Sequence, residues 1–214
     1  MSLLRTFIDL FMHLDTHLGV IIDQYGMMTY ALLFLIIFCE TGLVVTPFLP
    51  GDSLLFAAGA FAAKGNLNVG VLFVLLAFAG FLGDTVNYWI GSYIGRKAYH
   101  WNAWFLHHEH LEKTHQFYKR NGARTIIFAR FIPIMRTFAP FVAGVGKMDY
   151  MTFLLYNVVG DLVWVSLFIF GGFFFGNLPW VAHNFSIVIL AIIVVTVLPG
   201  FFAWLKHLLA RSSI

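Results

Sequence analysis

Four charged residues sit where an apolar chain can least accommodate them: Glu40 and Asp52 in the stretch Cys39–Gly59, and Arg130 and Arg136 in residues 126–145. A charged group near the middle of a bilayer costs about 2.5–3.5 kcal/mol on insertion scales, so each is first read as functional. Each pair brackets a helix break, marked by Pro47, Pro50 and Gly51 in the first stretch and by Pro133 and Pro140 in the second. Proline withholds an N–H and clashes with the preceding turn, so these residues form the expected hairpin tips. Glu40 and Arg130 end the first arms of the two hairpins, and Asp52 and Arg136 begin the second arms. The arginines offer forked donors that match the oxygens of a phosphate. The second arms add positive dipole ends and free backbone N–H groups. By taking up protons, Glu40 and Asp52 would release the arginines and couple their movement to a proton gradient. The plainer reading is structural, with ion pairs pinning the hairpins together. In that reading Asp52 also serves as a helix N-cap in Gly51-Asp52-Ser53, and Asp149 as another.

The elements that must hold these charges are set by composition. Of the 214 residues, 60% are hydrophobic and 11% charged, against roughly 25% charged in an ordinary soluble domain. Mean hydropathy is +0.84. The expected class is an all-α polytopic membrane protein whose residues 1–214 form a single transmembrane domain. A net charge of +3 is too mild for a nucleic-acid partner. Cys39 is the single cysteine, which excludes an internal disulfide. Asp9 and Asp15 interrupt the apolar core that a signal peptide would need.

Along the chain, residues 3–22 carry helical periodicity. Leu4, Phe7, Phe11 and Leu18 lie on one face and Arg5, Asp9 and His13 on the other. Residues 1–29 are therefore expected to form a surface amphipathic helix and lead-in, the competing reading being a charged start to the first span. Residues 30–63 form the first re-entrant hairpin, since each apolar arm is shorter than the roughly 20 residues a straight span needs. A single long broken span competes with it. Residues 69–95 are expected to cross the membrane.

Residues 96–124 then carry Arg96, Lys97, Lys113, Lys119, Arg120 and Arg124 against Glu109 and Glu112. The positive-inside rule makes this amphipathic linker cytoplasmic. If 126–145 crossed the membrane, the tail with Lys206 and Arg211 would lie outside. As a second re-entrant hairpin, followed by spans at 151–175 and 186–206, it leaves the C-terminus in the cytoplasm, as the rule prefers.

The halves then match in order: surface helix, hairpin, span. Both hairpins end in Ala-Gly (Ala58-Gly59 and Ala143-Gly144) and both following spans contain Gly-Asp (Gly83-Asp84 and Gly160-Asp161). With one hairpin entering from each side the repeats are inverted, a recurring plan of transporters. Asp84, Asn87, Asn157 and Asp161 either line a pathway or hydrogen-bond between spans. The run His107-His108-Glu109-His110 spreads around a helix and is read as a solvated face rather than a metal site. With no nucleophile–base set and no phosphate loop, no enzyme chemistry and no cofactor is expected.

Phe38 to Asp52 resembles the first signature of the DedA family, also called the SNARE-associated or VTT-domain family. Phe128 to Gly144, followed by Met148, Asn157, Gly160 and Trp164, is similar to the second. Glu40, Asp52, Arg130 and Arg136 fall on the family's functionally important charges. The His-rich region 96–110 departs from the family pattern. The resemblance implies a bacterial inner-membrane protein with two opposed re-entrant hairpins, required for envelope integrity and proton-motive-force homeostasis. It further implies relatives that translocate lipids, undecaprenyl phosphate in bacteria and phospholipids in eukaryotes.

The reading reached is a transporter or flippase for a phosphate-bearing lipid. A polyprenyl phosphate or an anionic phospholipid would be bound by Arg130 and Arg136, with protons as a further partner and a homo-oligomer as a possible assembly. The alternatives are an ion-coupled carrier of a small cation or drug bound by the acids, and a non-transporting envelope factor in which the charges only brace.

Overall fold

Glycine and proline punctuate the helices. In the computed structural model, which describes residues 14–43, 51–101 and 124–196, the order is α1 (Leu14–Tyr25), α2 (Met28–Gly42), α3 (Gly51–Ala63), α4 (Val69–Trp101), α5 (Arg124–Ala129), α6 (Pro133–Val145), α7 (Tyr150–Phe175) and α8 (Pro179–His183). A last helix, α9, covers Phe185–Thr196. No strand occurs among the described residues. Pro47 and Pro50, the His-rich run and most of the linker lie outside them. So do the N-terminal part of the surface helix and the end of the last span.

Two boundaries differ from the sequence expectation. The first helix runs on to Tyr25, where Gly26 in the left-handed region (φ 52°) turns the chain into α2. The helix through 69–95 continues to Trp101, because Arg96 and Lys97 carry high helix propensity and nothing breaks the backbone there.

Within α4 and α7 the stretches Val69–Gly95 and Tyr150–Phe175 are long and apolar enough to cross a membrane, and the greater part of their apolar length is left uncovered. Val71, Val74, Phe78 and Trp89 of α4 are exposed, as are Leu155, Leu162 and Leu167 of α7. Apolar helices left largely uncovered suit a hydrocarbon solvent rather than a soluble core.

The chain divides into two compact units. One gathers residues 14–36, 51–77 and 165–196 of the described chain, and the other 37–43, 78–101 and 124–164. In the first unit α3 is buried nearly all round. A Cβ at Gly59 of α3 would collide with the Ile169 carbonyl of α7, and one at Gly172 of α7 with the Phe56 carbonyl of α3. Backbone therefore meets backbone, the close approach that small residues permit between membrane helices. Phe56 on Phe185 (6.1 Å between centroids) and Phe73 on Phe170 (5.5 Å) fill the surroundings.

The second unit repeats the device. A Cβ at Gly91 of α4 would strike the Phe141 carbonyl of α6, and one at Gly144 of α6 the Tyr88 carbonyl of α4. Tyr88 stacks on Phe153 at 4.6 Å in a core with Ile126, Ala129, Ala139 and Ala143. The spacings Gly91–Gly95 and Gly172–Gly176 both read small-xxx-small. α4 thus packs against α6, and α7 against α3.

The ends of α3 and α6 also match. After α3 the Asn66 N–H bonds the Phe61 carbonyl (3.2 Å) and the Gly65 N–H that of Ala62 (3.0 Å). After α6 the Met148 N–H bonds Ala143 (3.0 Å) and the Lys147 N–H bonds Gly144 (3.1 Å). Both are Schellman closures around a left-handed residue, Gly65 (φ 84°) and Lys147 (φ 52°). The next helix is then capped, α4 by Asn68 Oδ1 accepting from the Val71 N–H (3.1 Å) and α7 by Asp149 Oδ2 accepting from the Thr152 N–H (2.8 Å) and hydroxyl (2.9 Å).

The Thr152 N–H, with help from the Thr152 hydroxyl, holds the exposed Asp149 carboxyl below its ordinary value of 3.8. A depressed folded-state value means that the cap stabilises fully above 3.8 and is lost as pH falls through the folded-state value. Asp149→Ala is accordingly expected to lower the melting temperature at neutral pH. The difference from wild type should close on acidification below 3.8. A melting gap that stays constant down to acid pH would show that the ionised cap is not the cause.

Candidate functional site

The site lies in the second unit and is assembled from four helices and one turn. Arg130 occupies the turn between α5 and α6, a break held open by Pro133 at the first position of α6. Its Nη1 donates to Asp161 Oδ1 at 2.8 Å. Its Nη2 donates to Asn157 Oδ1 at 2.5 Å and to Asp84 Oδ2. Asn157 and Asp161 stand one helical turn apart on α7, so a single face presents both to the guanidinium. Arg130, Asp84 and Asp161 are exposed by no more than 3%.

Two glycines make room for this arrangement. A Cβ at Gly80 would run into the Asp161 carboxylate, and one at Gly160 would come within 3.0 Å of Arg130 Cδ and Nε.

Arg136 lies in the first turn-and-a-half of α6 and donates from Nη2 to Glu40 Oε1 near the end of α2. Its guanidinium carbon stands 4.7 Å from the centroid of the Trp164 ring, a cation–π contact strengthened by burial. Trp164 follows Asp161 by three residues and shares its face of α7. Asn87 joins α2 to α6: its Nδ2 donates to the Thr41 carbonyl of α2 (3.1 Å) and to the Thr137 carbonyl of α6 (2.7 Å). Thr41 turns its own hydroxyl to the Ile37 carbonyl at 3.0 Å.

Of the residues singled out from sequence, Glu40, Asp84, Asn87, Arg130, Arg136, Asn157 and Asp161 come together in this unit. The pairing differs from the expected one. Arg130 is held by the two aspartates of the spans rather than by a hairpin acid, because α4 and α7 turn those carboxylates toward the break between α5 and α6. Asp52 belongs to the other unit, partly buried in the first turn of α3 behind Gly51 rather than at an N-cap position. Pro140 is also reassigned: it lies inside α6, not at the tip. The helix tolerates it at the cost of the N–H that the Arg136 carbonyl would take in a regular helix.

Sequence reasoning missed the roles of Trp164, Gly80 and Thr41. The spacing of Trp164 from Asn157 and Asp161, seven and three residues, was the available signal. Among the described residues no group of His, Cys, Asp and Glu is arranged to hold a metal ion.

The family model for the VTT domain matches residues 49–174, more than half of the chain. Protein DedA of Escherichia coli strain K12 is 52% identical over 210 residues, covering 97% of this chain and 96% of that protein. An uncharacterised membrane protein of Mycobacterium leprae is 41% identical over 169 residues, 78% of this chain and 76% of its own. The inner membrane protein YqjA of Escherichia coli strain K12 is 34% identical over 154 residues, 71% of this chain and 70% of its own. No solved structure matches the chain. With nearly its whole length aligned to one such relative and Asp84, Arg130, Arg136 and Asp161 inside the matched domain, the chain is a membrane protein of the DedA family.

Proposed function

We propose that the chain translocates a phosphate-bearing lipid, polyprenyl phosphate or anionic phospholipid, across a bacterial inner membrane. Arg130 and Arg136 take the head group while the tail stays in the bilayer. The observation that carries this reading is a pair of guanidinium groups, each 3% exposed, gathered in one unit with Arg130 Nε left without a hydrogen-bond partner. A buried N–H of that kind is costly unless something accepts from it, and an incoming oxyanion supplies the acceptor. The carboxylates around the arginines act as counter-ions in the substrate-free state and must yield when phosphate arrives.

The broken helices fit re-entrant hairpins. α2 and α3 have 15 and 13 residues, which at about 1.5 Å per residue is roughly 20 Å each, short of the roughly 30 Å hydrocarbon core. The matched cap-and-closure motifs after α3 and α6 support inverted repeats. On this plan the linker 96–124 and the C-terminus face the cytoplasm.

Purified protein in liposomes with fluorescent polyprenyl phosphate or phospholipid tests the reading. Arg130→Lys keeps the charge but loses the fork that serves Asp84, Asn157 and Asp161, and translocation is expected to fall at least tenfold. A carrier of small cations, bound by the acids, would be largely spared by that change. Absence of lipid translocation by the wild type, with or without a proton gradient, removes the proposal.

A further inference from the structure

Among the described residues, the buried charges of the second unit do not balance. Glu40, Asp84 and Asp161 are exposed by 0%, 1% and 1%, and Arg130 and Arg136 by 3% each. Three carboxylates therefore face two guanidinium groups. Glu40 pairs with Arg136, whereas Asp84 and Asp161 both lie on Arg130, two carboxylates on one guanidinium. An uncompensated charge in a dry interior is expensive, and the usual remedy is to bind a proton.

A second observation points the same way. Asp84 Oδ1 and Asp161 Oδ2 are buried and have no hydrogen-bond partner. Each carboxylate thus commits one oxygen to Arg130 and leaves the other bare, where an ionised group would be fully solvated or fully bonded. The setting is built rather than incidental, since Gly80 makes the space that the Asp161 carboxylate fills. Among the described residues of this unit, Glu40 of α2 and Arg136 of α6 are the other buried ionisable groups near it, and Arg136 also attracts Asp84; Asn87 and Asn157 contribute only dipoles.

We propose that Asp84 and Asp161 form a proton-binding site that holds one proton between them, astride Arg130. With the proton bound, Arg130 and the two aspartates are neutral as a group. Release of the proton leaves a dicarboxylate clamp with one net negative charge, which repels an anion from Arg130. Uptake loosens one side of the clamp, so proton and phosphate favour each other's binding. That coupling rests on the lipid-phosphate reading above, whereas the proton site itself does not. It also moves the proton-carrying role from the hairpin acids to the aspartates of the spans.

Infrared difference spectroscopy of the purified protein in lipid bilayers, without added substrate, tests the site through the band of a protonated carboxyl group. The wild type should show a band from one buried carboxyl that disappears on alkaline titration. Asp84→Asn and Asp161→Asn should each abolish it, because either change leaves a single carboxylate matched to Arg130. Asp149→Asn, an exposed helix cap, should leave it intact. If the variants do not fold, the wild-type titration alone decides whether such a group exists. A band absent at every pH, a band unchanged in both aspartate variants, or a carboxylate spectrum that responds to Na+ or K+ instead of pH overturns the proposal. Since lipid movement does not enter the readout, a failure to translocate lipid would leave the infrared result standing.

Discussion

Arg136→Ala will destabilise the protein by about 3–5 kcal/mol, because it takes the guanidinium away from a buried carboxylate. Glu40 is 0% exposed and its Oε1 accepts directly from the Arg136 guanidinium. The substitution also uncovers the Trp164 ring, on which the guanidinium rests at 4.7 Å. Denaturation in mixed micelles, followed by tryptophan fluorescence, would measure the loss. The informative partner is the double variant Glu40→Leu with Arg136→Met. Replacing both members of a buried pair by apolar groups of similar volume is often neutral or better, so most of the stability should return. Lipid translocation should not return, because Arg130 alone is left to meet a phosphate that two guanidinium groups would share. If transport recovers along with stability, the pair is a brace and Arg136 has no part in binding. If Arg136→Ala alone melts like wild type, the pair is not desolvated and the charge count made for this unit loses its basis.

The second large effect concerns two neighbouring glycines. Gly172→Ala will destabilise by about 2–3 kcal/mol, whereas Gly171→Ala will be neutral or will stabilise by up to about 1 kcal/mol. A Cβ at Gly172 would collide with the Phe56 carbonyl, and backbone cannot turn aside as a flexible side chain can. A Cβ at Gly171 would meet only Phe56 Cδ2, at an ordinary 3.9 Å. The same chemical change at successive positions of α7 thus gives opposite signs. The comparison separates helix–helix contact from helix propensity without any other variable. Equal melting temperatures for the two variants would mean that α3 and α7 do not touch through their backbones.

Much of this organisation was legible before any coordinates. Pro47, Pro50 and Gly51 announced one break and Pro133 another. The Ala-Gly and Gly-Asp pairs marked equivalent places in the two halves. What escaped was rotation. α4 and α7 are apolar on nearly every side, so no polar stripe announces which face turns inward. Asp84 and Asp161 could be seen as buried polar residues but could not be assigned to Arg130. Pro140 was misplaced for a related reason: a proline in apolar sequence reads as a tip, and only packed neighbours reveal that a helix passes through it. The glycines gave a similar half-signal. Their dipeptides were visible as repeats, while the carbonyls pressed against them were not.

The crossing of those glycine contacts has a consequence for synthesis. α3 emerges early, yet Gly59 is shaped to lie against Ile169 of α7, an element from the second half of the chain. Gly91 on the span of the first half likewise waits for Phe141 of α6. Neither half, once translated, holds the partners its own glycine faces require. Each unit must therefore close after its early helices are inserted, and those helices stay parked in the bilayer until their partners from the second half arrive. The fold commits late.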